Sequence, residues 1–320
     1  MLAKDIIQRV REIQVRTGRQ VADVLAGEYI SVFKGRGVEF DEVRPYVPGD
    51  DVRTIDWKVT ARTGEPYVKR YIEERQLTLM LMADVSRSQN FGSGARSKRE
   101  AAAELCALLA FSAIRNDDKV GLTLFHGGIE QYIPARKGQK HALRVVREVL
   151  AHGLDSKAEG AAELRSRWMP RFSSWRKPRG PSDSTDIGHA MEFLLSVMVR
   201  KAICFVVSDF FDEGYEQALR AANRKHDVIA VLVTDPREFE IPPIGLVALR
   251  DAESGRTCLY DTGSSTFRRQ VKLTAEQRLG DLERRLGRSG IDFIHIDASE
   301  SVVEPLVRFF RMRERRTRRR

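Results

Sequence analysis

The sequence has no apolar run near the ~18 residues that a membrane-crossing helix needs. Its longest runs, residues 105–114 and 191–199, have the length of buried helix segments. Cysteine is scarce: Cys106, Cys204 and Cys258 lie far apart, and none sits in a C-x-x-C pair. That argues against a disulfide framework and fits a reducing, cytoplasmic setting. The histidines (His126, His141, His152, His189, His226 and His295) show no H-E-x-x-H or paired spacing. There is no G-x-x-x-x-G-K-S/T loop to cradle a nucleotide phosphate. The N-terminus, M-L-A-K-D-I-I-Q-R-V, is amphipathic and lacks a cleavage-site pattern, so it does not read as a secretory signal.

The 320 residues are enough for one large domain or two ordinary ones. At 42% hydrophobic and 31% charged, the composition is that of a globular chain able to bury a proper core. The net charge of +10 is concentrated at the end, where the chain from Arg311 reads R-M-R-E-R-R-T-R-R-R. Such a run suits nucleic acid, anionic lipid or an acidic protein face, or is simply a solvated terminus. It has no apolar periodicity, which predicts a basic disordered tail over 311–320 with no part in the core. The tail and the basic stretch 154–183 lack interleaved aromatics, which argues against single-strand nucleic-acid binding.

Apolar positions at Ile6, Val10, Ile13, Val21, Val24 and Leu25 predict a helix over about 3–25, and residues 29–33 a strand. Gly35-Arg36-Gly37 and Pro48-Gly49-Asp50 are turns. Residues 1–74 thus form a turn- and strand-rich N-terminal segment packed on a main domain over 75–310, with a polar insertion at about 154–183. The main domain opens on a continuous apolar run, residues 77–82, the pattern of a strand buried on both faces. Helices follow at about 97–115, 141–152, 187–199, 275–286 and 303–310. Strands follow at about 120–125, 203–207, 228–233 and 293–296. Residues 131–133 read as a hairpin mate of the second strand, and 246–259 as a separate hairpin. The alternation predicts an α/β fold: a doubly wound, mostly parallel sheet covered on both faces. Ligands in such sheets bind at the strands' C-terminal ends, at the switch point.

At the end of the first buried strand stands Asp84-Val85-Ser86-Arg87-Ser88, or D-x-S-x-S. One carboxylate and two hydroxyls can face a single point there. They are hard oxygen ligands suited to Mg²⁺, with Ca²⁺ or Mn²⁺ as alternatives. The same residues also read as a turn and helix cap. Two further stretches belong at the same edge of the sheet: Ser184-Thr185-Asp186-Ile187-Gly188 and Ser208-Asp209-Phe210. His189, near Thr185, reads either as a helix-surface residue or as a side chain approaching the site.

This set resembles the metal-ion-dependent adhesion site of von Willebrand factor A domains. The resemblance implies the ligands Asp84, Ser86, Ser88, Thr185 and Asp209, the last acting through water. It also implies a position open to a partner's carboxylate, and so a protein-binding module rather than an enzyme. Upstream, Gly35–Phe40, Arg44-Pro45-Tyr46-Val47-Pro48-Gly49-Asp50-Asp51-Val52-Arg53-Thr54-Ile55-Asp56-Trp57 and Ala61-Arg62 resemble the bacterial "domain of unknown function 58" family over about residues 20–300. That family is often found beside MoxR-type AAA+ ATPases, which implies such an ATPase as partner. The chain departs from the family's usual pattern at Asp183-Ser184, where Gly-Gly is common, and at Gln89, where Met is common. Within the signature, Arg44, Asp50, Asp51, Arg53, Asp56 and Arg62 read either as turn caps or as a charged network around Trp57. A metal-dependent phosphohydrolase is the alternative function. Against it, Ser86 stands where aspartyl-phosphate chemistry would want a second Asp. Nucleic-acid binding through the tail and the insertion is a further alternative.

Overall fold

The computed structural model describes residues 38–73, 76–152, 185–250 and 256–318. The expected helix at 3–25, the strand at 29–33 and the insertion at 154–183 lie outside these residues.

Strand β3 (Thr78–Asp84) is the centre of the fold. Leu79, Met80, Leu81 and Met82 are completely buried, so both of its faces are covered. It pairs in parallel with β4 (Lys119–Phe125) on one side and β6 (Ile203–Ser208) on the other. Beyond β6 lie β7 (Asp227–Thr234) and β10 (Asp292–Asp297), both parallel. The other edge is β5 (Ile129–Arg136), antiparallel to β4. The sheet order is therefore β10-β7-β6-β3-β4-β5. The chain leaves β3 toward β4 and later returns to β6 on its opposite side, so the switch point lies between β3 and β6.

Alternation along β3 sorts the helices onto two faces. Leu79, Leu81 and Ala83 pack with α2 (Lys98–Arg115), α3 (Gln139–Ala151) and α8 (Val303–Arg318). Met80 and Met82 pack with α4 (Ile187–Val197), α5 (Glu216–Lys225) and α7 (Ser265–Arg288). Each large aliphatic side chain buried this way contributes roughly 1.5–3 kcal/mol. The short α6 (Pro236–Phe239) follows β7. The strands β8 (Leu246–Arg250) and β9 (Thr257–Asp261) form the expected separate hairpin.

The signature segment is more regular than its turns suggested. β1 (Val38–Pro45) and β2 (Tyr67–Glu73) pair antiparallel, with helix α1 (Trp57–Thr63) between them. Its charges act as caps. Arg44 donates twice to Asp50, at 2.6 and 2.8 Å, and Asp50 also accepts the Val47 N–H at 2.9 Å. Asp51 caps the 3₁₀ turn Val52–Thr54, and Asp56 accepts the Lys58 and Val59 N–H groups at the start of α1. Trp57 is 71% exposed, so no charged network encloses it.

Two boundaries differ from expectation. Helix α7 begins at Ser265 rather than near Ala275, because Ser264 caps it by accepting the Phe267 N–H. The disordered tail expected from Arg311 is also corrected: α8 continues to Arg318. Two of its arginines are held by acids at the N-terminal ends of β7 and β10. Arg313 donates to both oxygens of Asp227, at 2.5 and 2.6 Å, and pairs with Asp292 at 3.2 Å. Arg316 pairs with Asp292 at 2.9 Å but is itself 62% exposed, which weakens that contact. Arg313→Ala is expected to lower stability by about 2 kcal/mol, the scale of a charged hydrogen bond that is largely shielded from water. Arg315→Ala should change it little. Urea unfolding of the two variants checks this, and equal effects would deny Arg313 its anchoring role.

Candidate functional site

The C-terminal edge of the sheet at the switch point carries a continuous chain of polar side chains. In the β3–β6 register Ala83 stands opposite Val207, which brings Asp84 and Ser208 to the same edge. Asp84 accepts the Ser86 N–H at 2.8 Å on one oxygen and the Ser208 hydroxyl at 2.7 Å on the other. The Ser86 and Ser88 hydroxyls are 2.9 Å apart. Ser88 in turn donates to Asp209 at 2.7 Å. Asp84, Ser86 and Asp209 are buried.

Thr185 reaches this edge by a different route. The Asp186 N–H donates to the His126 carbonyl just beyond β4, at 2.8 Å. Asp212, just after β6, accepts the Ile187 N–H at 2.8 Å. Thr185 is therefore fixed at the start of α4 and is buried. Its hydroxyl has no hydrogen-bond partner among the described residues, an uncommon state for a buried hydroxyl. His189 is half-buried and gives its backbone N–H to Asp186.

Several participants carry no motif. Lys98, completely buried at the first position of α2, donates to Asp209 at 3.1 Å and to Glu238 of α6 at 2.6 Å. Burial alone would lower the Lys98 pKa, but the Asp209 and Glu238 carboxylates together hold it above the usual lysine value. Arg99, also buried, donates to the Val85 and Ser86 carbonyls and to the His152 carbonyl. Arg278 of α7 donates to the Asp209 carbonyl at 2.5 Å while its guanidinium lies 3.3 Å from the centre of the Phe211 ring. The sequence does hold a signal for Lys98 and Arg99. Cations in the first turn of a helix oppose its dipole, so they need another reason to be there.

The loop that carries Lys98 into place is tightly folded. A Cβ on Gly92 would lie 2.5 Å from the Ser97 Cα, so only glycine permits that approach. Asp235 ties the loop to the end of β7, accepting the Ser93 N–H at 2.8 Å and the Ser93 hydroxyl at 2.6 Å. Ser97 and Glu100 then close a capping box at the start of α2. Burial, followed by the Asp209 charge, pushes the Asp84 carboxyl up to about 7.

As a donor set, the site offers two carboxylates and neutral hydroxyls, all oxygen, which suits a hard divalent cation. Among the described residues, no three His, Cys, Asp or Glu side chains gather as a metal-holding group, so any ion here would lean on the hydroxyls. Removing the Lys98 charge tests how the site balances itself. Lys98→Met should cost about 3–5 kcal/mol, because it leaves the Asp209 carboxylate buried without its cation. Denaturant unfolding in chelator at neutral pH measures this. A loss under about 1 kcal/mol would mean the pair is not structural.

An uncharacterized protein of Mycobacterium tuberculosis is 29% identical to this chain, covering 96% of it and 89% of the relative. Among solved structures, the conserved hypothetical protein BatB of Bacteroides thetaiotaomicron aligns with a TM-score of 0.40 at 16% identity, over 75% of this chain and 99% of that one. The VWA domain of SpRpn10 aligns with a TM-score of 0.35 at 11% identity, over 72% of this chain and 94% of that one. No helix among the described residues is long and apolar enough to cross a membrane. Residues 42–279 match the family described as protein of unknown function DUF58, and the chain belongs to that family.

Proposed function

We propose that this chain is a protein-binding module that docks a partner through a divalent cation, most simply Mg²⁺. Asp84, Ser86, Ser88 and Thr185 would hold the ion, and Asp209 would act at one remove. The observation that carries this reading is the hydrogen-bonded set Asp84, Ser86, Ser88 and Asp209, drawn from two separate stretches of chain onto one edge of the sheet, with Thr185 fixed at the start of α4 on the same edge. The unpartnered Thr185 hydroxyl supports it, because a cation would give that oxygen a role. So does the occupancy of Asp209, which already receives Ser88 and Lys98 on one oxygen. That suits a part played through water better than direct ligation. When bound, the ion supplies the positive charge that draws a carboxylate from the partner. The chain's own contribution is to hold two carboxylates in place with fixed hydrogen bonds and to shield them from water. A MoxR-type AAA+ ATPase is the proposed partner, a reading that rests on the family resemblance.

Two measurements test this. Without metal, burial and then the Asp209 charge raise the Asp84 pKa, so the carboxyl holds its proton where an ordinary aspartate is ionised. A cation must displace that proton, so Mg²⁺ affinity should fall as pH drops through this raised titration and level off above it. Calorimetry across this range reads the slope, and Asp84→Ala and Asp209→Ala should both weaken binding. A flat profile with unchanged variants would dismiss the site.

The second measurement is capture of the ATPase by the full chain. Ser86→Ala and Ser88→Ala each remove one neutral oxygen without changing net charge, so long-range electrostatics stay constant. Both are expected to reduce capture severely while far-UV circular dichroism stays native, and EDTA should do the same to the parent. Equal capture in EDTA and in both variants would move the interface elsewhere. Metal-dependent turnover of a phosphorylated substrate, lost in the same variants, would favour the hydrolase reading instead.

A further inference from the structure

Next to the polar site lies a cavity that the metal reading does not use. It has a volume of about 320 Å³ and is formed where the first half of α7 leans over the end of β7 and over α6. Its walls are mainly apolar, with Leu232, Phe239, Phe267, Val271 and Leu279 prominent. Three wall residues also belong to the polar site. Phe211 follows Asp209 by two positions and is 55% exposed. Arg278 holds the Asp209 carbonyl and stacks on Phe211. Glu238 receives Lys98, which also holds Asp209. The apolar cavity is thus continuous with the candidate site.

Beside the cavity on α7 lies a second groove of about 490 Å³, which shares Thr274 and Arg278 with it. This groove is lined by Arg278, Arg284, Arg285 and Arg288 against a single acid, Asp281. The arginines outnumber the acids beside them, Asp281 and Glu216, so the groove carries net positive charge. Its partners within the chain are surface ones: Arg284 pairs with Asp281 and Arg285 with Glu216, with arginines about half or more exposed. Such pairs are weak and exchange readily for a better anion.

We infer that these three features form one track for an acidic peptide segment of a partner protein. One carboxylate sits at the metal site, a neighbouring large apolar side chain fills the cavity, and further acidic residues follow along the arginines of α7. The inference deepens the proposed function and rests on it for the first carboxylate. Each part matches its own chemistry. A cavity this size accepts one aromatic or branched side chain. The groove beyond it favours carboxylates, which arginine binds in pairs of hydrogen bonds. Charge complementarity along the track also fixes the direction in which the segment lies.

The probes are three short fluorescein-labelled peptides. The first carries a Glu next to a Phe, followed by a run of acids. The second replaces the Phe by Ala, and the third replaces the trailing acids by Ser. With Mg²⁺ and the full chain, fluorescence anisotropy should show the second peptide weaker than the first by about tenfold or more, the scale of one buried aromatic side chain. The third should be weaker as well, and should lose most of the salt dependence that the first shows. Ala275→Trp, which fills the cavity from α7, should erase the advantage of the first peptide over the second, with folding checked by circular dichroism. Arg284→Ser combined with Arg288→Ser should erase its advantage over the third. EDTA separates the two ideas. If the first peptide beats the second but EDTA changes nothing, the cavity is right and metal docking is wrong. If EDTA weakens both while they bind equally, or if neither binds, the track is wrong. A single-stranded oligonucleotide that displaces the first peptide and is indifferent to Ala275→Trp would assign the groove to nucleic acid and overturn the inference.

Discussion

The parallel pairing of β3 with β6 is the constraint from which the rest follows. Both strands are buried on both faces, so their register cannot slip without turning core side chains the wrong way. The observed register sets Ala83 opposite Val207, and so Asp84 next to Ser208 with Asp209 one residue beyond. Residues 84 and 209 are 125 positions apart in the chain, yet they share a hydrogen-bonded network because two apolar strands pair in one way only. The crossovers of the doubly wound sheet then bring the start of α2 and the start of α4 to the same edge. The chemistry of the site is thus inherited from hydrophobic pattern, and its polar residues add little to the choice of fold.

Placing two carboxylates at such an edge creates an electrostatic problem. Burial disfavours the charged carboxylate, and a second anion nearby adds to that cost; the Asp84 pKa is raised by burial first and by Asp209 second. The protein answers with Lys98, a cation from the opposite side of the loop, completely buried and shared between Asp209 and Glu238. The asymmetry has a consequence. Asp209 is paired directly with a permanent charge, whereas Asp84 is held by hydroxyls and a backbone N–H, with the buried Arg99 guanidinium acting on it from beyond hydrogen-bond range. Asp84 thus keeps its raised pKa without an ion pair of its own, and the hydroxyl side of the site is where a divalent cation would act on it.

What could be read from the sequence follows the range of the forces involved. The sheet was legible because runs such as Leu79–Met82 and Ile203–Val207 encode burial locally, and the sites at Asp84 and Asp209 follow from where those runs stop. Lys98 was not legible in the same way. At a helix start it looks like a solvated residue until the partners Asp209 and Glu238, over a hundred residues away, are in place. The end of α8 failed for a related reason: Arg313 is tied down by Asp227 and Asp292, which no local pattern announces. The early part of α7 carries apolar positions at helical spacing, Phe267, Val271 and Ala275, but they line an open cavity rather than the core, among charged neighbours that blur the pattern. In the signature, the alternation of acids with prolines and glycines correctly suggested caps. The strands β1 and β2 were hidden because they carry charges along a two-stranded ribbon.

The turn after β6 joins these levels in three consecutive residues. In extended chain, residues two apart face the same way, so Asp209 and Phe211 would point together and Phe210 opposite. Phe210 instead takes a left-handed conformation, φ +53°, which costs a bulky residue of order 1–3 kcal/mol. Burial of its ring against Tyr215, at 5.7 Å between centroids, offsets that cost. The Ser208 hydroxyl, which donates to Asp84, accepts the Phe210 N–H at 3.1 Å and so braces the turn against the site. Alternation is broken as a result. Asp209 faces the polar network, Phe210 the core, and Phe211 the cavity under Arg278. One strained residue, held by core packing, is what turns the exposed Phe211 ring away from the buried Asp209 carboxylate and into the neighbouring cavity.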